Sequence, residues 1–238
     1  MSDLPRRQLG RTELSVTHIS YGALELRGPR IVGGPTITKD QAQAMLNTVL
    51  DAGINFIDTS NDYGDSEKLI GEFIAHRRKE YFLATKCGCY HGQHIWTKEN
   101  IERGIDESLR RLNTDYVDVL QFHNPPSDVV LREGLVEVLR DIQRSGKARF
   151  IGTSSVEPHI SEFLNTGAFD TYQIPYSLLE RKHEGVITKV AEAGCGSIIR
   201  GGAAKGALQT PTSDSLWRTW RNARLDDLVE EGSTPMEF

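Results

Sequence analysis

Cysteine is scarce and odd in number in this 238-residue chain, which holds only Cys87, Cys89 and Cys195. Three thiols make no disulfide framework, and so few suit a reducing compartment. Long apolar runs are missing as well: none approaches the roughly 18 residues a membrane span needs, and the opening "MSDLPRRQLG" has no signal-like apolar core. A cytoplasmic protein without a membrane segment is the expectation. Excess positive charge is also lacking. The formal net charge is -5 with both signs interspersed, which leaves no footprint for nucleic acid. The densest basic cluster, "RRKE" at 77–80, reads as a solvated helix end. What remains is a chain with 38% hydrophobic residues, long enough to bury a sizeable core as one domain over 1–238.

Four junctions share one grammar. "DAGINFID", "RSGKARFIG", "NTGAFDTYQI" and "EAGCGSII" each end a helix-like run in glycine and then start a short β-rich run. Glycine ends a helix cheaply because it takes the left-handed conformation without a Cβ penalty. Between the junctions the period is helical. In "TKENIERGIDESLRRL", Ile101, Ile105, Leu109 and Leu112 form one stripe behind a Thr97 N-cap, with Glu99/Arg103 and Glu107/Arg111 at i,i+4 outside. Thr38 and Gln41 have capping-box spacing ahead of Ala42, Leu46 and Val49.

The predicted strands are short and apolar on both sides: "HISYGAL", "INFIDTS", "YFLATKCG", "YVDVLQFH", "ARFIGTSS", "TYQIPYS" and "GSIIRGG". Parallel strands covered by helices read this way. Alternating β and α elements admit an open doubly wound sheet or a closed (β/α) barrel. The barrel is favoured, because "YGALELRGPRIVGG" lacks the GxGxxG of a dinucleotide-binding first turn. Ahead of it, "RRQLGRTELSVTHI" reads as a hairpin around Leu9, Gly10 and Arg11 that plugs the barrel's N-terminal end. The segment 206–215 reads as loop, followed by a helix from "LWRTWRNARL".

In a barrel the chemistry sits where strands end. Asp58, Lys86 and His123 end the second, third and fourth barrel strands, and Tyr63 lies just past the second. Taken singly, each has an ordinary reading as a cap, a loop cation, a strand-end histidine or a loop aromatic. Together they form a set that no apolar core requires.

With these residues in place, "FIDTSNDYGDSEKLIG", "LATKCG", "SLRRLNTDYVDVLQFHNP", "GKARFIGTSS" and "YQIPYSLLER" together resemble the aldo-keto reductases over most of residues 6–205. The resemblance implies an α/β fold, the eight-stranded (β/α)8 TIM barrel, and reduction of an aldehyde or ketone with NADPH. It also matches the family's catalytic Asp, Tyr, Lys and His to Asp58, Tyr63, Lys86 and His123. Elementary chemistry suits those roles. Tyr63 is a weak acid with a reference pKa of about 10, Lys86 would lower that value, Asp58 would keep Lys86 charged, and His123 would orient the carbonyl.

By the same resemblance, Ser154 and Gln173 grip a nicotinamide carboxamide, with Ser155 standing where the family often has Asn. Asp58, Gly22 and Ala23 lie close to the cofactor, Tyr176 lies nearby or is a rim aromatic, and Arg200, Gly201 and Gly202 meet its amide or pyrophosphate. Relatives continue into an eighth strand and a helix that bind the cofactor's 2′-phosphate, and these fall beyond Phe238. The expected partners are therefore a small carbonyl substrate and a nicotinamide, with oligomeric state unassigned.

Four alternatives stay open. The barrel could be a non-catalytic, cofactor-sensing or regulatory subunit, or an unrelated lyase or isomerase using Lys86 as a Schiff-base amine. "CGCYHGQH" could hold zinc through Cys87, Cys89, His91 and His94, but its spacing is unusual and no metal is assigned. Lys86 could also activate the neighbouring Cys87 thiol.

Overall fold

The computed structural model describes residues 4–28 and 37–202. In chain order the strands are β1 (Arg6–Gln8), β2 (Ser15–Thr17), β3 (Tyr21–Gly22), β4 (Phe56–Asp58), β5 (Phe82–Cys87), β6 (Cys89–Tyr90), β7 (Gln93–His94), β8 (Val117–His123), β9 (Ala148–Ser154), β10 (Thr171–Pro175) and β11 (Gly196–Arg200). The α-helices are α1 (Lys39–Asp51), α2 (Ser66–Ile74), α3 (Lys98–Leu112), α4 (Ser127–Arg132), α5 (Leu135–Arg144), α6 (His159–Thr166) and α7 (Glu184–Glu192). Strands β1 and β2 form one antiparallel hairpin and β6 and β7 another, while the other seven make a parallel sheet in the order β3-β4-β5-β8-β9-β10-β11. No helix among the described residues is long and apolar enough to cross a membrane.

The sheet curls into a nearly closed barrel. Phe56 of β4, Ala84 of β5, Val119 of β8 and Ile198 of β11 meet in one buried cluster with Leu9 and Leu14 of the first hairpin. In a flat sheet, β4 and β11 would lie roughly 24 Å apart at about 4.8 Å per strand, too far to share a cluster. The hairpin closes the N-terminal end, as expected. Arg11 N donates to Gly194 O at 2.7 Å, and the turn approaches so closely that a Cβ on Gly10 would lie 2.1 Å from Gly196 N.

Outside the sheet, the helices bury their apolar faces in a larger core that includes Leu46, Ile70, Ile105, Leu139, Ile160 and Val190. Both predicted caps form. The Thr97 side chain accepts from Asn100 N, and Thr38 and Gln41 make a full capping box, each worth about 1 kcal/mol. Helix α1 buries Leu50 rather than Val49, since its stripe runs 42, 46, 50. On α3, Arg111 pairs with Glu107 at 3.5 Å as expected, but Arg103 turns to Glu107 at 3.9 Å rather than to Glu99. A buried carboxylate, Asp118, ties the barrel's lower half together. It accepts from Arg78 and Arg149 at 2.7 Å and from Leu83 N at 2.9 Å.

The predicted first strand is shorter than "HISYGAL" suggested. Only Tyr21–Gly22 pairs with β4, and the chain then turns into a 3-10 helix, Ala23–Arg27. The loop at 206–215, the helix after it and any eighth strand lie outside the described residues.

Candidate active site

Parallel pairing in register brings the second to fourth barrel strands to a common upper rim. Asp58 pairs with Ala84, Lys86 with Gln121 and His123 with Ser154, so their side chains rise around one mouth. At its centre Lys86 is 1% exposed. Its ammonium lies 2.6 Å from Asp58 Oδ2 and donates to Thr59 O at 2.7 Å. Burying a charged group is costly without an opposite charge beside it, and Asp58 supplies that charge.

Lys86 Nζ lies 4.8 Å from the ring centre of Tyr63, which is half-buried. Burial raises the Tyr63 pKa above its ordinary value, while Lys86 lowers it by charge and by a hydrogen bond, and Arg200 lowers it further. The expected depression by Lys86 exists, but burial outweighs it. The phenol therefore keeps its proton throughout the neutral range.

His123 sits edge-on to Tyr63, with ring centres 5.7 Å apart. Burial, then the charges of Lys86, His94 and Arg200, push its pKa down to about 3, so the imidazole is neutral. Its Nδ1 faces Ser60 Oγ at 3.2 Å and Cys89 Sγ at 3.3 Å. The Ser60 oxygen already accepts from Asp62 N, which frees its proton for Nδ1. Both neighbours can donate, so Nδ1 is placed to accept from one of them, in the tautomer that keeps the ring hydrogen on Nε2.

Three members of this network were not read from the sequence. Gln121 donates from Nε2 to Asp58 Oδ1 at 3.1 Å, and Ser60 and Cys89 contact His123 Nδ1. Gln121 had a readable signal, because in "QFH" it stands two residues before His123 and shares its face of the strand. The contacts of Ser60 and Cys89 had none, since they span 63 and 34 residues.

On the barrel's other side, Ser154 Oγ donates to Gln173 Oε1 at 2.8 Å, and both residues are buried. Ser155 is 1% exposed, and its hydroxyl has no hydrogen-bond partner among the described residues. An orphaned buried hydroxyl beside the Ser154–Gln173 pair is what a carboxamide ligand would satisfy, so these residues fit a nicotinamide. Arg200 ends β11, and its charge is felt by both Tyr63 and His123, which puts it at the mouth. Added side chains at Gly22, Gly201 and Gly202 would meet none of the described residues within 4 Å. Ala23 is fully buried in the larger core, its carbonyl accepting from Ser66 Oγ at 2.8 Å. Tyr176 is a half-buried rim aromatic.

The cysteine-rich turn resolves differently from its sequence order. Cys87 faces the outer core, donates to Gln121 O at 3.5 Å and has a pKa raised by burial, so Lys86 does not activate it. Cys89 and His94 pair across the β6–β7 hairpin, while His91 is exposed at its turn.

These features define a (β/α) barrel with a buried, ionised Lys–Asp pair and a protonated tyrosine at its C-terminal mouth. The chain belongs to the Aldo/keto reductase family, whose model matches residues 18–219. It is 29% identical over 236 residues to an oxidoreductase of Bacillus subtilis, YqkF, covering 95% of this chain and 74% of that protein. It is 31% identical over 206 residues to the NADH-specific methylglyoxal reductase of Escherichia coli, covering 74% of this chain and 60% of that protein. Among solved structures it is similar to the holo form of aldo-keto reductase AKR11C1 from Bacillus halodurans. That likeness has a TM-score of 0.80 and 26% identity, and it covers 97% of this chain and 79% of that one.

Proposed function

We propose that the protein reduces an aldehyde or ketone with a nicotinamide cofactor, with NADPH the form its family resemblance favours. The observation that carries this reading is the buried Lys86 ammonium, 2.6 Å from Asp58 Oδ2 and 4.8 Å from the Tyr63 ring centre. Ser154, Ser155 and Gln173 would hold the carboxamide, with Arg200, Gly201 and Gly202 at the pyrophosphate side. When bound, the reduced nicotinamide supplies hydride to the carbonyl carbon.

The chain's own groups handle the oxygen. His123 donates from Nε2–H to the carbonyl oxygen and fixes its direction. Tyr63 gives up its phenolic proton as negative charge grows on that oxygen. The phenolate left behind would be unstable in a buried site, and the Lys86 cation stabilises it. Asp58 keeps that cation ionised through the cycle, and Gln121 holds Asp58.

The test is NADPH and NADH oxidation, followed by absorbance, over a panel of small aldehydes and ketones with wild type and Tyr63→Phe. Wild type should turn over at least one substrate, and the variant should lose about 10²–10⁴-fold in kcat while cofactor binding, read by fluorescence, is retained. Cofactor binding without turnover on any carbonyl would refute the reading, as would an unaffected Tyr63→Phe enzyme.

A further inference from the structure

Three potential metal-binding side chains, Asp62, Cys89 and His123, converge at one edge of the mouth from three separate segments, and a fourth, the exposed His94, lies against Cys89. Cys89 and His94 are direct partners across the β6–β7 hairpin, the loop after β4 brings Asp62, and the end of β8 brings His123. Cys89 Sγ lies 3.3 Å from His123 Nδ1 and 3.4 Å from His94 Nδ1. The donor atoms of Asp62, Cys89 and His123 all lie within 4.8 Å of one another. In a tetrahedral zinc site, with Zn–S near 2.3 Å and Zn–N near 2.0–2.1 Å, sulfur and nitrogen are about 3.5 Å apart. The two sulfur–nitrogen separations already approximate that spacing.

We propose that Asp62, Cys89, His94 and His123 form a binding site for a soft divalent cation of the zinc type, at the rim of the active-site mouth. One thiolate, two imidazoles and one carboxylate are a donor set suited to such a cation and unsuited to magnesium or calcium. The scaffold is fixed in advance. His91 and Gly92 at the hairpin turn have φ of 49° and 76°, as a two-residue turn with left-handed central residues requires. Asn61 Nδ2 donates to Cys89 O at 2.9 Å and so ties the hairpin to the loop that carries Asp62. Trp96 stacks on His94, with ring centres 5.8 Å apart and planes 13° from parallel.

The His123 Nδ1 lone pair is available to a cation once the Ser60 hydroxyl yields its place. Cys89 enters as a thiol. Coordination breaks its S–H bond, sends the proton to solvent and forms an S–metal bond, with no change of oxidation state. The sequence pointed to Cys87, Cys89, His91 and His94, but the fold keeps Cys89 and His94 and supplies Asp62 and His123 instead.

Titration of the full, untagged chain with Co²⁺, followed by absorbance, tests the site. One equivalent should produce thiolate-to-cobalt charge transfer in the near ultraviolet with the intense visible bands of four-coordinate cobalt, and Zn²⁺ should displace it. Cys89→Ser should abolish the charge transfer. Asp62→Asn and His94→Ala should retain it with affinity weakened about ten-fold or more, at least the loss typical of an outer-shell change. Far-ultraviolet circular dichroism checks that each variant is folded. No charge-transfer band in wild type, a band that survives Cys89→Ser, or unchanged affinity in both other variants overturns the assignment. The readout is binding, so its result is independent of whether the protein reduces carbonyls.

Discussion

Gln121 donates from Nε2 to Asp58 Oδ1 at 3.1 Å, the carboxylate oxygen that Lys86 leaves unused. Hydrogen bonds to charged groups contribute about 1.5–3 kcal/mol, and this one is wholly buried. Gln121→Leu should therefore lower the unfolding free energy by about that amount, measured by urea denaturation, and should reduce turnover by freeing Asp58 to rotate. An unchanged urea midpoint would show that the contact contributes nothing.

The Asp58–Lys86 pair should behave asymmetrically. Asp58→Asn leaves a buried ammonium without its anion and should cost about 3–5 kcal/mol, whereas adding Lys86→Met to that variant should restore much of the loss. Both proteins should be inactive. A double variant less stable than Asp58→Asn alone would contradict the electrostatic account of this pair.

The pH dependence of kcat/KM should have an unusual shape for a site containing histidine. Tyr63 acts as an acid, so its active form is the protonated one, and a raised pKa carries that form past the ordinary tyrosine value of about 10. His123 titrates only near about 3. The profile should stay flat between about pH 5 and 8 and fall only on the alkaline side. An inflection at pH 6–7 (about the ordinary histidine value) that vanishes in His123→Gln would show that the imidazole charges in the working enzyme.

Folding stability should report the same histidine. Its folded value of about 3 lies below the unfolded 6.5, so the unfolded chain binds the proton more readily in that window. Its contribution is fully present above 6.5 and is lost as pH falls toward 3. The urea midpoint should drop between about pH 7 and 5, and His123→Gln should flatten that slope by up to one proton.

Gly10 tests the barrel's lower closure. Its φ of +55° and the 2.1 Å approach of a built Cβ to Gly196 N leave no room for a side chain. Gly10→Ala should cost at least the roughly 1–3 kcal/mol of an overpacked site, seen as a lower melting temperature.

The strand ends were legible because β periodicity and glycine junctions are local signals, and all seven parallel strands fell within the segments so read. Local pattern failed where tertiary geometry decides. Tyr21–Gly22 pairs only briefly before Ala23 dives into the core, and α1 chose Leu50 over Val49 because of where its neighbours sit. The direction of the Tyr63 shift was misread for a related reason. The sequence announces a nearby lysine, but it does not announce burial, and burial is the larger effect. The partners of His123 were hidden because loops after two other strands supply them.

Asp58 is gripped on both oxygens, by Lys86 on one and Gln121 on the other, while Thr59 O fixes the ammonium from behind. A carboxylate so clamped has no swing left to lose when a ligand arrives. Docking then leaves little of this machinery to reorganise, and differences in affinity between one carbonyl compound and another should originate in the surrounding loops rather than here.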